Sequence, residues 1–228
     1  MPTGARRSAE GAPLAPPVVL FDFDGVLTHA DTYALFVREG YARSAWRQLF
    51  ALLALPWLML LWPLTRRLQR PLVHIALLGL DEKRYGTAVD AFAAELVRRP
   101  GHFCRDGVRA LRRHQAAGER VIVVTGCEHT LVESLLAQLG LAGVELVASR
   151  LKRGPFGLRV AHHNIGAGKL KALAAHGVPA WRRAYGDSLH DLHMLRAAAE
   201  PVLVNGTPKL CKRMERALGR TLERVAWR

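Results

Sequence analysis

The stretch VVLFDFD, residues 18–24, narrows the choice of folds more than any other. Four apolar residues run without interruption into Asp22, and Asp24 follows two places later. A short apolar run bounded by polar groups reads as a strand buried in a sheet. The pattern recurs. RVIVVTG (120–126) is a second buried strand with a polar end, VELVAS (144–149) a third, RRAYGDS (182–188) another with an acidic end, and PVLVN (201–205) a last short one. Helical stretches lie between them: TLVESLLAQLG, stopped by Gly140, then GAGKLKALAAHG and LHDLHMLRAAA. RLKRGPFGLRVAH (150–162) predicts a β-hairpin that turns at GPFG. Strands that alternate with helices imply an α/β fold with a Rossmann-like, mainly parallel sheet.

One segment breaks the alternation. Residues 29–105 hold no comparable strand and read as helical, so a mainly helical cap is inserted after the first strand. The core is then residues 18–28 and 106–228. Residues 1–17, rich in Pro, Ala and Gly and without an apolar h-region, read as a disordered tail rather than a secretory signal.

In open α/β sheets ligands bind beyond the carboxyl ends of the strands. Those ends here carry Asp22 and Asp24, Thr125 with Gly126, and Asp187 with Asp191, while Lys169 stands at the start of a helix. Asp22 and Asp24 are two apart, a spacing that turns both side chains of a strand to one face. Two adjacent carboxylates repel, and need a cation or a shared proton to coexist at neutral pH. Asp187 can complete a Mg²⁺ site, since that ion takes a few carboxylates, waters and a phosphate oxygen. Gly25 lets the backbone turn sharply and approach a ligand closely. Thr125 and Gly126 can offer a hydroxyl and an N–H to phosphate at a helix N-terminus, or Thr125 can simply cap that helix.

FDFDGVLT, VVTG, the lysine of GAGK and YGDSLHD, in that order, resemble the four motifs of the haloacid dehalogenase superfamily of phosphatases. Receiver domains combine similar residues, but they are shorter and lack both the DxDG pattern and a cap after the first strand. The resemblance implies that Asp22 is the nucleophile that becomes an aspartyl phosphate. It implies that Asp24 is the acid and base, and that its backbone carbonyl helps to hold Mg²⁺ beside Asp22 and Asp187. It gives Thr125, Gly126 and Lys169 to the phosphoryl group, and makes Asp191 a ligand or an orderer of the metal site. Val26 and His190 depart from the commonest pattern; phosphoserine phosphatases usually have Asn where His190 stands. An acid at the place of Asp31 meets the substrate amine in those enzymes, whereas ADTYALF here reads as an N-cap opening a helix. His162, His163, His190 and His193 cluster late in the chain, but the carboxylate set suits Mg²⁺ better than an imidazole metal. Lys152 and Arg153 are candidates for meeting an anionic substrate.

The cap position places the chain near the phosphoserine-phosphatase-like branch. An early apolar segment (48–65), LLGLDEKRYGTAVDAFAAEL, ASRLKRGPFG and the Gly-x-x-Lys motif resemble the phosphatidylglycerophosphatase C family. Residues 49–64, LFALLALPWLMLLWPL, carry no charge. As a helix they reach about 24 Å, short of roughly 30 Å of hydrocarbon, and Pro56 would kink them. A single span would put Asp22 and Thr125 on opposite sides of a bilayer. An interfacial or shallow re-entrant segment remains, with Trp46, Trp57 and Trp62 at headgroup depth and Arg43, Arg47, Arg66, Arg67 and Arg70 meeting lipid phosphates. The competing reading buries the run in the cap or in a dimer interface.

The expectation is a Mg²⁺-dependent phosphomonoesterase acting on a phospholipid headgroup, most plainly phosphatidylglycerophosphate, at the cytoplasmic face of the inner membrane. The alternatives are a cytoplasmic phosphatase of soluble metabolites and a non-catalytic membrane-binding module. The net charge of +14 suits a phosphate-rich partner such as anionic lipid, or else reflects an Ala-, Leu- and Arg-rich composition in which Arg stands wherever Lys would serve. Scattered basic residues without interleaved aromatics argue against nucleic acid. Three isolated cysteines make neither a disulfide framework nor a zinc site and fit a reducing cytosol. Nothing in the chain specifies an oligomeric state.

Overall fold

The structure, a computed structural model, describes residues 16–60 and 69–228. Residues 1–15 of the expected tail, and Trp62, Arg66 and Arg67, lie outside the described residues, as does the Arg70 side chain.

Seven strands form one sheet in the order β4-β3-β2-β1-β5-β6-β7. They are β1 (Val18–Phe21), β2 (Arg120–Glu128), β3 (Glu145–Gly154), β4 (Gly157–His162), β5 (Arg183–Gly186), β6 (Glu200–Val204) and β7 (Glu223–Val225). All neighbours are parallel except β3 and β4, which form the expected hairpin with Gly154 opposite Gly157. β1 is central. Its register sets Phe21 beside Val123 of β2 and Tyr185 of β5, so the three strand ends that carry Asp22, Thr125 and Asp187 lie side by side. Alternate residues of β1 face opposite ways: Val19 and Phe21 join one apolar cluster, Leu20 the other.

The first cluster is shared with the cap, because Phe36, Leu77, Val89, Phe92 and Leu96 pack into it with Phe23 and Leu131. The cap helices are α1 (Thr32–Ala42), α2 (Ala45–Leu60), α3 (Gln69–Leu77) and α4 (Glu82–Val97). Asp31 and Asp81 start α1 and α4 by accepting from Ala34 N (2.9 Å) and Arg84 N (2.8 Å). The core adds α5 (Arg105–Ala116), α6 (His129–Gln138), α7 (Ala167–Ala175), a short 3₁₀ turn (Leu189–Asp191), α8 (Leu192–Ala197) and α9 (Pro208–Leu218). The second cluster packs Leu173, Met194, Leu195 and Met214 of these helices against the other sheet face. The expected α/β architecture with a helical insert after the first strand is therefore present.

Helix α2 runs through Pro56 and carries the apolar run largely outside the core. Leu49, Phe50, Leu52, Leu53, Trp57 and Met59 are all more than half exposed. Over its described part this segment is thus not buried inside the cap: the described cap helices α1, α3 and α4 leave these side chains uncovered. Among the described residues no helix is long and apolar enough to cross a membrane.

The core hairpin touches the cap at its tip. Leu78 and Gly157 form a β-bridge, and Gly79 N donates to Phe156 O at 2.9 Å. Arg47 of α2 donates to Leu78 O at 3.3 Å, so this corner joins α2, the α3–α4 turn and the hairpin.

Candidate active site

Asp22 follows β1 directly. Its N–H donates to Tyr185 O (2.9 Å), and its Oδ1 accepts from Phe23 N (2.8 Å) and lies 2.9 Å from Lys169 Nζ. Lys169 reaches it from the first turn of α7, fully buried, and lies 2.6 Å from Asp191 Oδ1 as well. Burial works against its charge, yet the two carboxylates hold its pKa above the usual lysine value. Asp191 is buried too. Its Oδ2 accepts from Asp187 N (3.2 Å), Ser188 N (3.3 Å) and Ser188 Oγ (3.3 Å). Burial would raise its pKa, but Lys169 holds it low.

Asp22, Asp187 and Asp191 each place a carboxylate oxygen within 4.8 Å of the others. They are the one such cluster among the described residues, and the late histidines form none. Both Asp191 oxygens are engaged by Lys169 and the 187–188 turn, so Asp191 orders the site while Asp22 and Asp187 face the cation position. Burial, then the charge of Asp191, raises the Asp22 pKa well above the carboxylate range, and the same two causes push Asp187 up to about 6. Carboxylates under that strain, next to one another, are a donor set that fits a hard divalent ion. Gly25 allows the approach. Its φ is +79°, and a Cβ there would stand 1.9 Å from Asp187 Oδ2.

Asp24 is held apart from this cluster. Its Oδ1 accepts from Thr32 N at the start of α1 (3.0 Å) and from Thr28 Oγ1 (3.3 Å). Burial raises its pKa to about 6 although the Thr32 bonds pull it down. A carboxyl so placed can hold a proton near neutral pH and give it up again.

Thr125 and Gly126 line the same cavity, but not at a helix N-terminus. β2 continues to Glu128, and Glu128 itself caps α6 through Leu131 N (3.1 Å). Thr125 Oγ1 accepts from Cys127 N at 2.9 Å, which shapes the turn. Two residues that pattern reading passed over hold this turn. Asn164 Nδ2 donates to Thr125 O (3.1 Å) and Val147 O (2.9 Å), and Ser149 Oγ donates to Gly126 O (2.7 Å). Ser149 closes the apolar run VELVAS and Asn164 follows the hairpin, and neither residue type marks itself as functional in the sequence. Glu128 is the third such residue, buried against Tyr85 OH at 2.6 Å.

The cavity encloses about 800 Å³. Its floor is Asp22, Asp24, Thr125, Lys169 and Asp187. Away from the floor the walls turn apolar, with Val37 and Tyr41 of α1, Leu72 and Val73 of α3, and Leu151 and Val160 of the hairpin. Arg38, Arg150, His163 and His190 add polar groups. Asp31 is on the rim, engaged as the α1 cap. Lys152 and Arg153 do not line the cavity; both are exposed on the hairpin.

In solved structures the chain resembles a protein of unknown function from Bordetella pertussis Tohama I, with 20% identity, a TM-score of 0.70 and coverage of 92% of this chain and 98% of that one. A phosphoserine phosphohydrolase-like protein from Francisella tularensis matches at 14% identity and TM-score 0.59, over 92% and 94% of the two chains. A phospho-aspartyl intermediate analogue of phosphoserine phosphatase matches at 18% and 0.54, over 88% and 91%. No curated protein sequence matches significantly. These likenesses extend to the fold. The profile of the haloacid dehalogenase-like hydrolases matches residues 19–196, from the first buried strand through the helix after Asp191. That match spans most of the chain, which therefore belongs to the haloacid dehalogenase-like hydrolase family.

Proposed function

We propose that this phosphohydrolase removes the phosphate from a phospholipid headgroup monoester, with phosphatidylglycerophosphate as the expected substrate, at the cytoplasmic face of the inner membrane. The observation that carries the proposal is the continuity of the cavity. It runs from Asp22 along apolar walls formed by α1, α3 and the hairpin, and α2, which packs on α1 and α3, turns its apolar side chains outward. An amphiphile with its phosphate on the floor and its apolar portion along those walls suits that gradient. Helix α2, sixteen residues long and with Trp46 and Trp57 exposed, has the composition of a segment lying in an interface.

The chemistry follows from the floor. With Asp22 Oδ1 tied to Phe23 and Lys169, attack on phosphorus falls to Oδ2. The bond from phosphorus to the leaving oxygen breaks as Asp24 supplies the proton, leaving Asp22 phosphorylated. Asp24 then takes a proton from water, which attacks the phosphorus and frees Asp22 and inorganic phosphate. Lys169 spreads positive charge over oxygens that crowd the nucleophile. Mg²⁺ held by Asp22, Asp187 and the Asp24 carbonyl would neutralise phosphate charge.

A second reading is supported by fold likeness to phosphoserine phosphatases over 88–92% of the chain: a soluble phosphomonoester would serve as substrate. Phosphate release from the purified protein against phosphatidylglycerophosphate in mixed micelles, phosphatidic acid and phosphoserine separates the two. Turnover of the lipids well above phosphoserine is expected. Preference for phosphoserine would overturn the lipid reading.

A further inference from the structure

The β3–β4 hairpin carries an arrangement that the catalytic site does not use. Lys152 stands directly opposite Arg159 in the antiparallel register, and both are exposed. Like charges opposite one another on a sheet repel. No carboxylate among the described residues pairs with either, nor with the exposed Arg153 beside them. At the turn, Phe156 projects with 80% of its surface exposed, next to the exposed Pro155. An apolar tip flanked by unpaired cations is the pattern of a surface that inserts shallowly and meets anions around the insertion point.

The hairpin is also tied to α2. Gly157 bridges Leu78, and Leu78 O accepts from Arg47 of α2. The bridge requires glycine, since a Cβ at Gly157 would stand 2.4 Å from Leu77 O and 2.9 Å from Gly79 N. Two exposed apolar features, one on the cap and one on the core, are thus locked to one corner. Leu151 and Val160 of this same hairpin also line the cavity.

We infer that the hairpin tip is a second lipid-contacting element, in which Phe156 enters the interface and Lys152 and Arg159 bind anionic headgroups. The inference rests on the membrane-facing reading of α2 given above. It assigns the membrane two contact points, one on the cap and one on the core. Contact at the cap alone would leave the core free to tilt away from the bilayer. With the hairpin also seated, cap and core meet the same plane. The occupant is an anionic bilayer because its headgroups offset the Lys152–Arg159 repulsion while its apolar layer takes the exposed Phe156 at the tip.

The test uses the full chain and vesicles of phosphatidylcholine with or without phosphatidylserine. A basic residue near an anionic surface contributes roughly fivefold to partitioning. The double variant Lys152→Gln, Arg159→Gln should therefore bind the anionic vesicles about 30-fold less well, with binding to neutral vesicles nearly unchanged. Both substitutions lie outside the cavity, so hydrolysis of a small soluble phosphate ester should stay the same. The three native cysteines are buried, so Phe156→Cys gives one accessible thiol for an environment-sensitive dye. Its emission should shift to the blue when anionic vesicles are added. If the wild-type protein binds no vesicles, the membrane reading falls and the hairpin inference with it. If it binds but the double variant binds equally and the dye does not shift, the inference alone is overturned and α2 acts by itself. A dye shift that follows protein concentration without vesicles would overturn it in favour of a second copy of the chain.

Discussion

Lys169 Nζ stands 2.9 Å from Asp22 Oδ1, with both side chains buried at the ends of adjoining elements. The lysine also lies 2.6 Å from Asp191 Oδ1, so one ammonium joins Asp22 to the residue that accepts from the N–H groups of Asp187 and Ser188. Lys169→Ala would leave two buried carboxylates without their cation. Removing one partner of a buried ion pair typically costs about 3–5 kcal/mol. The variant should melt at lower temperature and lose nearly all turnover, and added Mg²⁺ should not restore the rate, because the ion has its own ligands. Full rescue by Mg²⁺ in a steady-state assay would reduce Lys169 to a screening charge.

The role proposed for Asp24 is to protonate the leaving group, so the effect of its removal should depend on what leaves. Asp24→Asn should lower kcat by about 10²–10⁴-fold on an alkyl phosphate. The loss in the first step should be far smaller with p-nitrophenyl phosphate, whose leaving oxygen needs no proton. Equal losses in burst rate with both esters would remove Asp24 from proton transfer.

The same carboxyl gives a pH-dependent stability term. Its folded pKa is about 6, against an ordinary value of 3.8, with burial as the main cause. The metal-free fold therefore prefers the neutral form. That contribution is fully present below about pH 4 and is lost as pH rises through about 6. Metal-free Asp24→Asn should consequently gain roughly 1.4 kcal/mol over the wild type as pH goes from 5 to 8, about half of the total of about 3 kcal/mol that the shift carries. Denaturant melts at both pH values read the difference, and an unchanged gap would contradict the buried setting of Asp24.

Much of this arrangement can be read from residues 18–24, 120–126 and 182–188, because a strand buried on both faces leaves an apolar run that ends abruptly where the ligand begins. Asp22, Asp24 and Asp187 announce themselves that way. Asn164, Ser149 and Glu128 do not: their work is to hold a turn through contacts with residues 15 to 43 positions away, and spacing carries no trace of such contacts. For the same reason the sequence leaves Thr125 open between a phosphate ligand and a helix cap, whereas in the structure Glu128 caps α6. The apolar runs do not announce the last helix and strand, α9 and β7, even though Thr207, Pro208 and Gly219 punctuate α9 at the N-cap, first turn and C-cap. β7 is only three residues long and gains its identity from pairing with β6. The apolar run was legible as apolar, but its exposure depends on how little of the cap surrounds it.

Gly157 sets the junction between hairpin and cap. Its φ is +133°, a region L side chains rarely adopt, and its missing Cβ leaves room for the Leu77–Gly79 backbone. Gly157→Ala should cost about 1–3 kcal/mol. It should also speed proteolysis in the α3–α4 turn, while leaving the sheet intact by circular dichroism. Unchanged proteolysis with an unchanged melt would show that the hairpin and cap part freely.

The covalent role of Asp22 is the most direct test of the whole account. Wild-type protein mixed with a confirmed phosphomonoester substrate and quenched in acid should yield a peptide phosphorylated on Asp22 and on no other residue. Asp22→Asn, nearly isosteric, should fold, show no phosphopeptide and release no phosphate. Near-wild-type phosphate release by Asp22→Asn, or a phosphoryl group found on a different side chain, would contradict it.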